Sequence, residues 1–229
     1  MIGITFALPT ESSELRRQLA EVRRENDLLF GKIDNRDIAV LHTGVGAKTC
    51  NERMEILLHK SRPRLIISAG FAGAVVDDLQ VGDLILAENF SNRELLTRAE
   101  RILRDRRPRV SKLFTSTSIV DSISERNEMA RASGAAAVDM ETSAIVGVCN
   151  AHGVPLLSLR AISDSPKEPF PAPPSVLFDI EFQRTRFGRL LAYILRDPGS
   201  GWRLVRFGKQ IARVRAKLTE ALVALIRES

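Results

Sequence analysis

Short apolar runs alternate along this chain with segments of helical spacing, and this alternation constrains the fold more than any other feature. The runs that predict strands cover residues 2–8, 37–42, 64–69, 81–87, 116–120, 135–140 and 154–162. The segments that predict helices cover residues 12–22, 47–60, 125–132, 142–152, 177–195 and 202–226. Strands that alternate with helices favour an α/β fold. The sequence therefore predicts a three-layer α/β sandwich with a central mixed, largely parallel sheet flanked by helices.

The second half of the chain changes in composition after the last strong strand. Five prolines fall within residues 166–174, and because proline removes a backbone donor they exclude regular structure there. We predict one domain over residues 1–229, with a Pro-rich loop at 165–175 and a helical C-terminal extension at 177–229. A Pro/Gly-containing stretch at 197–201 is expected to divide that extension into two helices.

Composition limits the classes of function and the compartment. Hydrophobic residues make up 44% of the 229 residues, enough for a sizeable core. No apolar stretch reaches about 18 residues, so no membrane span is expected, and the N-terminus lacks the basic region of a secretory signal. Cys50 and Cys149 lie far apart in apolar segments and predict buried reduced thiols in the cytoplasm. No Cys/His cluster indicates a metal, and no cofactor is expected.

The net charge of +6 is concentrated in two basic stretches, at residues 93–112 and 196–217. Such stretches attract polyanions or anionic lipid, although they are more often solvated helix faces. No aromatic residues interleave the charges as a base-stacking surface would need, so nucleic acid is not an expected partner. Peripheral contact with a membrane stays open.

Two acidic segments, residues 138–142 and 159–164, each end a β-compatible run with a carboxylate. The carboxyl ends of strands in an open α/β sheet meet at the edge where ligands bind, so these acids should share one rim. Two carboxylates with separate roles are the minimum for cleaving a glycosidic bond. Glu11, which follows the first strand, is a third acid for the same rim.

Each acid has a functional and a structural interpretation. Glu11 could orient or deprotonate a water molecule, and Glu141 could accept hydrogen bonds from ribose hydroxyls, but both also begin predicted helices, where the helix dipole favours an acid. Asp164 could share a proton with a purine nitrogen, since burial raises a carboxyl pKa. Alternatively, Asp164 caps the next segment or pairs with Arg160.

Two small-residue segments follow predicted strands. Residues 44–46 read Gly-Val-Gly, which is a weak signal for a phosphate cradle because the third glycine of GxGxxG is absent; a plain turn is equally compatible. Residues 70–73 read Gly-Phe-Ala-Gly and predict a turn that either lets a ligand approach the backbone or packs tightly on the sheet.

Four segments together carry a resemblance to a known family. They are IGITFALPTE at residues 2–11, HTGVGAKTCNE at 42–52, IISAGFAGAVVDDLQVGDLI at 66–85, and AAAVDMETSAIVGVCNAHGVPLLSLRAISD at 135–164. With these, the chain resembles the purine nucleoside phosphorylase superfamily, and within it the methylthioadenosine/S-adenosylhomocysteine nucleosidases. The tail after residue 166 is similar to a hopanoid-associated branch that removes adenine from adenosylhopane.

The resemblance implies roles for particular residues. Glu11 would activate water, and Asp164 would protonate or hydrogen-bond the purine at N7. The residues that it implies in substrate binding are Gly70, Phe71, Val120, Met140, Glu141 and Ser163. Among these, Met140 and Glu141 would hold the ribose, Ser163 would position Asp164, and Val120 or Ile119 would replace the aromatic residue that stacks on adenine.

Two departures bear on the nucleophile. The phosphorylases carry an arginine at the position of Ser68 and a hydroxyl residue at that of Phe71, and the nucleosidases have serine at the latter. Both changes remove groups that would hold phosphate, so the resemblance implies hydrolysis by water.

We therefore predict a nucleosidase that cleaves the N-glycosidic bond of a purine nucleoside, a 5′-substituted adenosine, and releases adenine. It is expected to form a homo-oligomer, with a dimer favoured. Three alternatives remain: a phosphorylase, a nucleosidase for another 5′-modified nucleoside such as futalosine, and a non-catalytic nucleoside-binding or membrane-associated scaffold.

Overall fold

Ten strands and six helices make up the computed structural model, which describes residues 1–120, 122–169 and 198–229. The strands are β1 (Ile2–Phe6), β2 (Ala20–Glu25), β3 (Leu28–Ile33), β4 (Arg36–His42), β5 (Ile66–Ala74), β6 (Leu84–Ala87), β7 (Arg109–Ser111), β8 (Leu113–Thr115), β9 (Ala137–Asp139) and β10 (Leu156–Asp164). The helices are α1 (Ser13–Arg17), α2 (Ala47–Ser61), α3 (Arg93–Ile102), α4 (Ile123–Ser133), α5 (Thr142–Ala151) and α6 (Pro198–Arg227), with a 3-10 turn at Arg104–Arg106.

All ten strands belong to one mixed sheet. Eight of them follow the order β2-β3-β4-β1-β5-β10-β6-β7, and β9 pairs with β5 and with β8 off this path. Its centre is parallel, because β1 pairs in parallel with β4 and β5, and β5 in parallel with β10. The β2–β3, β3–β4 and β10–β6 pairs are antiparallel. The predicted mixed, largely parallel sheet is confirmed.

Side chains that alternate along the central strands build two cores, one on each face of the sheet. In β4, Ile38 and Val40 join the core that includes Leu218 of α6, whereas Ala39 and Leu41 face the core that contains Met54 of α2. This period of two is the geometry of an extended strand. Helices therefore cover both faces, as the predicted three-layer sandwich requires.

The C-terminal helix is part of the larger core. The predicted helix over residues 202–226 is confirmed within α6, and its second half buries Val214, Leu218 and Leu222 on the sheet. Because α6 begins at Pro198, residues 199–201 belong to this helix, while the predicted division of the extension into two helices depends on residues before Pro198 that lie outside the described residues and stays a prediction. Residues 170–175 of the predicted loop and the predicted helix at 177–195 lie outside the described residues, and the single-domain boundary stays a prediction.

The predicted helix over residues 12–22 is wrong beyond α1. The chain enters β2 at Ala20, although Leu15 and Leu19 are buried at helical spacing. Every residue of β2 is exposed, so this edge strand has no apolar alternation that would distinguish it from a polar helix face. Cross-strand contacts hold it instead, including an ion pair from Lys32 Nζ to Glu21 Oε2 at 2.6 Å.

The predicted turn at residues 70–73 is also wrong, because β5 runs through it to Ala74. At two positions of this segment, Gly70 and Gly73, the absence of a side chain leaves space for the carboxyl group of an acid from another part of the chain. A Cβ atom at Gly70 would lie 3.2 Å from Glu11 Oε1, and one at Gly73 would lie 3.0 Å from Asp164 Oδ2. Residues 116–120, predicted as a strand, form a loop after β8. The turn at residues 44–46 is confirmed, with left-handed φ angles at Gly44 and Gly46.

Candidate functional site

A cavity of about 330 Å³ opens at the edge where the central parallel strands end. Its lining includes all the candidate residues predicted from the sequence except Gly70: Glu11, Phe71, Val120, Met140, Glu141, Ser163 and Asp164. The remaining lining comes from Ala7, Leu8, Val45, Ala72, Gly73, Ser118, Ile119, Val138, Asp139, Phe207 and Ile211. The structure therefore brings together acids that lie more than 120 positions apart in the sequence.

The carboxylate of Glu11 is fixed by two backbone donors from different elements. The N–H of Leu8 donates to Oε2 at 2.9 Å, and the N–H of Phe71 donates to Oε1 at 3.0 Å. Burial raises the pKa of Glu11 above its usual value, while these two hydrogen bonds and the charge of Arg160 oppose the shift. Glu11 is thus a buried carboxyl group that two backbone N–H donors hold in one orientation.

Gly70 lies behind this carboxylate and is not part of the cavity wall. A Cβ atom at this position would lie 3.2 Å from Glu11 Oε1, so a side chain here would require the carboxylate to shift. The predicted contact of Gly70 with substrate stays a prediction, and what the structure shows is its proximity to the carboxylate of Glu11.

Glu141 precedes the first residue of α5, and Asp139 is the last residue of β9. Both residues line the cavity. Burial raises the pKa of Glu141 to about 8, and the neighbouring charges of Asp139 and Glu11 add to the increase. At neutral pH this carboxyl group therefore carries a proton. Burial therefore raises the pKa of two carboxyl groups in one cavity, those of Glu11 and Glu141.

Arg160 of β10 connects this strand to β9 and β5 through side-chain hydrogen bonds. Its Nε donates to Asp139 Oδ2 at 3.0 Å, and its Nη1 donates to the carbonyl of Ser68 at 2.7 Å. Its Nη2 donates to Ser68 Oγ at 2.9 Å. The alternative pairing of Arg160 with Asp164 is therefore wrong. Ser68, at the position of the phosphorylases' arginine, is fully buried under Arg160 and outside the cavity lining.

Asp164 is aimed by an irregularity at the end of β10. The register against β5 shifts between Ile162 and Asp164, and such a bulge re-aims the side chains beside it. The Ser163 hydroxyl donates to Asp164 Oδ1 at 2.6 Å, and Arg126 Nη2 donates to Oδ2. Both carboxyl oxygens therefore accept hydrogen bonds, and Asp164 is almost completely buried.

Sequence reasoning missed Arg126, Phe207 and Ile211. Arg126 lies on α4, whose other residues are not buried, so no periodic pattern singles it out. Phe207 and Ile211 lie four residues apart on α6, and their apolar spacing predicted the helix but not the wall that it forms. Only the packing of α4 and α6 against the strand ends reveals these contributions.

Neither cationic side chains nor a metal-ligand cluster were found at the cavity. Among residues 1–120, 122–169 and 198–229, no Arg, Lys or His lines it, and no group of three metal-ligating side chains was found in the described ranges. A larger cavity of about 560 Å³ lies between α3 and α6. Its charged lining residues, such as Arg101 and Glu220, belong to the outer surface of these helices, so the smaller cavity is the better candidate site.

Comparison with known families gives one match by sequence model. The model described as Phosphorylase superfamily matches residues 1–112 and 90–197. A curated relative is the 5′-methylthioadenosine/S-adenosylhomocysteine nucleosidase of Staphylococcus haemolyticus (strain JCSC1435). It is 24% identical over 196 residues, which cover 72% of this chain and 86% of the relative.

Solved structures of similar fold include two nucleoside-cleaving enzymes. The S-adenosylhomocysteine nucleosidase of Streptococcus pyogenes, in complex with 5-methylthiotubericidin, superposes with a TM-score of 0.75 at 18% identity, covering 99% of this chain and 96% of that one. The native futalosine hydrolase of Helicobacter pylori strain 26695 superposes with a TM-score of 0.62 at 22% identity, covering 71% and 87%. At these identities the likeness establishes the fold.

Proposed function

Because this chain belongs to the phosphorylase superfamily, we propose that it is a nucleosidase, which hydrolyses the N-glycosidic bond of a 5′-substituted adenosine and releases adenine. The observation that carries this proposal is the convergence of Glu11, Glu141 and Asp164 on one cavity. Its volume of about 330 Å³ suits a small-molecule ligand, since such pockets span roughly 300–1,000 Å³. The curated nucleosidase relatives support the same activity.

Glu11 acts as the base on the attacking water. Its fixed orientation leaves the carboxylate no freedom to turn away, and its raised pKa makes it a stronger base than an exposed glutamate. As the water oxygen bonds to C1′, Glu11 takes a water proton and the departing base takes the electron pair of the C1′–N9 bond. General-base help of this kind contributes roughly 10²–10⁴ in rate.

Glu141 and Met140 hold the ribose. A protonated carboxyl group has one donor and a free acceptor, which matches a hydroxyl group that itself donates and accepts. The pKa of about 8 keeps Glu141 in this form at neutral pH.

Asp164 and Ser163 face the purine at the other end of the cavity. The hydrogen bond from Ser163 to Asp164 orients this acid, which shares a proton with N7 of the purine as the C1′–N9 bond breaks, so that the base leaves as neutral adenine. Val120, Ile119 and Phe71 supply apolar wall for the ring. The loop at residues 116–120 reads Ser-Thr-Ser-Ile-Val and therefore offers no aromatic side chain to stack on the ring.

Water is the nucleophile that the lining favours. Phosphate binding needs cationic or multiple hydroxyl donors, and the lining in the described ranges has no cation. The test is to assay 5′-methylthioadenosine with and without inorganic phosphate and to identify the sugar product. Free 5-methylthioribose at a phosphate-independent rate is expected. A 1-phosphate product would make the protein a phosphorylase, and adenosine binding without base release would make it a binding protein.

The substituent at the 5′ position faces apolar side chains. Val45, Phe207 and Ile211 supply apolar lining of the cavity, which suits an alkylthio group or a larger hydrocarbon such as that of adenosylhopane. A panel of methylthioadenosine, S-adenosylhomocysteine, adenosylhopane and futalosine, assayed for released base, ranks these substrates. A preference for futalosine would contradict the choice of adenine as the base.

We further propose a cytoplasmic homodimer that contacts membranes peripherally. Cys50 and Cys149 are both buried free thiols, which suits a reducing compartment.

Trp202 and Val205 are exposed on the basic first half of α6, as in helices that lie on anionic lipid. Light scattering tests the dimer, and sedimentation with phosphatidylserine vesicles tests the membrane contact. Among the described residues, no helix is long and apolar enough to cross a bilayer.

A further inference from the structure

His42 ends β4 beside the turn that carries Glu11. In the parallel register of β1 and β4, it pairs with Phe6, the last residue of β1, and Glu11 lies in the turn that follows β1. The backbone of His42 is held from α2, because Arg53 Nη1 donates to its carbonyl oxygen at 2.9 Å. The imidazole therefore extends from a backbone position that is fixed by two elements.

The turn of residues 8–12 is closed by hydrogen bonds within itself. The N–H of Glu11 donates to the carbonyl of Leu8 at 3.1 Å, and the N–H of Leu8 donates in return to the Glu11 carboxyl group. The Ser12 hydroxyl donates to the carbonyl of Pro9 at 3.2 Å. Because Ser12 is bonded covalently to Glu11 within this closed turn, a displacement of Ser12 also displaces Glu11.

Ser12 connects this turn to His42. Its hydroxyl oxygen lies 2.7 Å from Nε2 of the imidazole, and Ser12 is fully buried. The carbonyl of Pro9 can only accept, so the serine makes both contacts when the imidazole donates from Nε2. Burial lowers the pKa of His42 to about 4, and three nearby arginines add to the decrease. The ring is therefore uncharged at neutral pH, as a single donor to Ser12 requires.

His42 itself does not line the candidate site. It lines a separate cavity of about 220 Å³, which shares no lining residue with the cavity that contains Glu11. Any effect of His42 on the chemistry must therefore pass through another residue. The space beside the ring also allows a slightly larger ring at this position.

We propose that His42 is a positioning residue, which holds the carboxyl group of Glu11 in place through Ser12, an inference that rests on the nucleosidase function proposed above. The N–H groups of Leu8 and Phe71 fix the two carboxyl oxygens only while the turn keeps its place. Without the bond from His42 to Ser12, the turn can move relative to the Phe71 N–H on β5. Small misplacements of a catalytic group are costly, so the rate falls although no group that touches substrate is lost.

A double-mutant cycle separates the positioning of Glu11 from a general structural effect. His42→Phe keeps a ring but removes Nε2, and it is measured with 5′-methylthioadenosine in the wild-type and Glu11→Gln backgrounds. In the wild-type background we expect kcat to fall at least about tenfold with KM unchanged. In the E11Q background H42F should change kcat no further, because the base that His42 positions is already absent.

Two further variants complete the kinetic test. His42→Gln keeps an N–H donor and should restore most of kcat, whereas His59→Gln, at an exposed histidine of α2, is the control and should alter nothing. Equal falls of kcat in both backgrounds would show a general structural role and overturn the proposal, as would an unchanged kcat in folded H42F. If H42F does not fold, Ser12→Ala removes the same bond from its other end and is judged by the same outcomes.

Hydrogen exchange tests the link between His42 and Glu11 without catalysis. The amides of Leu8 and Glu11 both donate within the turn, so a peptide of residues 7–12 should exchange about tenfold faster in H42F, and not in H59Q. Unchanged exchange in H42F overturns the proposal. A wild-type protein that cleaves no nucleoside would refute the proposed function alone, and the exchange rates would then decide whether His42 positions Glu11.

Discussion

At the scale of single residues, Glu11 is unusual because both of its oxygens accept backbone hydrogen bonds. Glutamine has one acceptor oxygen, so Glu11→Gln removes the base and also leaves one N–H, of Leu8 or Phe71, facing an amide donor. We expect turnover to fall at least about a hundredfold, with stability lowered by about 1–3 kcal/mol. Adenine release and thermal melting measure the two effects.

The control for that substitution is Glu52→Gln, which changes an exposed glutamate on α2. It should alter neither turnover nor melting temperature. Near-normal turnover in folded E11Q would remove Glu11 from the mechanism.

Asp164→Asn tests the base end of the cavity. Asparagine keeps the shape but leaves the buried guanidinium of Arg126 without its counter-charge. We expect a loss of turnover of at least about a hundredfold together with a stability loss of about 3–5 kcal/mol, since breaking a buried pair leaves an uncompensated charge. Denaturant unfolding and steady-state kinetics separate these effects. Full stability of D164N would mean that the ion pair does not hold in solution.

Glu141 should make the stability of the protein depend on pH. Its pKa is raised from 4.5 to about 8 in the folded protein, so between these values the folded state binds a proton that the unfolded state has released. Stability from this group is complete below pH 4.5 and is lost as pH rises toward 8. Glu141→Gln cannot lose a proton, so it should become more stable than the wild type above pH 8, by an amount on the order of a few kcal/mol.

Melting curves of wild type and E141Q from pH 5 to 9 test this prediction. Glu128→Gln, at an exposed position on α4, serves as the control and should follow the wild-type curve. Parallel curves for E141Q and wild type would show that Glu141 is ionised in the folded state.

At the scale of elements, sequence patterns predicted the central parallel strands but missed β3, although four of its six residues are buried. Residues 37–42 are rich in aliphatic side chains and predict a strand, whereas the predicted helix over residues 12–22 runs into the first three residues of β2, which is exposed along its whole length. The sequence holds a local signal for the β3–β4 hairpin, because Asp34-Asn35 is a residue pair that tolerates the left-handed φ angles of a tight hairpin turn, and the structure shows such angles at both positions. The hairpin could therefore have been found from its turn.

The acids of the site were predictable because each follows a recognisable strand, but their partners were not. Asp164 ends β10 in the sequence, yet its contact with Arg126 joins residues 38 positions apart, and nothing local in α4 marks that arginine. Likewise, the glycines of residues 70–73 were read as a turn because their real role, clearance for side chains from other elements, appears only in three dimensions.

Gly73→Ala tests this clearance within β5. The added methyl group must displace Asp164 or Arg126, so we expect turnover to fall about tenfold or more, because small misplacements of catalytic groups are costly. Gly147→Ala on α5 is the matched control, since a Cβ there meets nothing within 4 Å. It should stabilise the helix by about 0.5–1 kcal/mol without affecting turnover. Unchanged kinetics in G73A would show that the pair tolerates a shift.

At the scale of the whole molecule, α6 connects the core to the cavity. Its second half contributes Leu218 and Leu222 to the core shared with β1 and β4, while Phe207 and Ile211 nearer its start line the cavity. One helix therefore couples folding of the C-terminal extension to completion of the site. This coupling predicts that the extension and the sheet unfold together, in line with the expected single domain.

Leu218→Ala tests the coupling, because Leu218 is fully buried against the sheet. Truncating a buried leucine costs about 2–5 kcal/mol, whereas Val205→Ala, at a half-exposed position of the same helix, should change stability by less than about 0.5 kcal/mol. Calorimetry of L218A should show one transition, shifted to lower temperature, because α6 and the sheet share a core. Two separate transitions, with only the lower one shifted, would mean that α6 folds independently of the sheet.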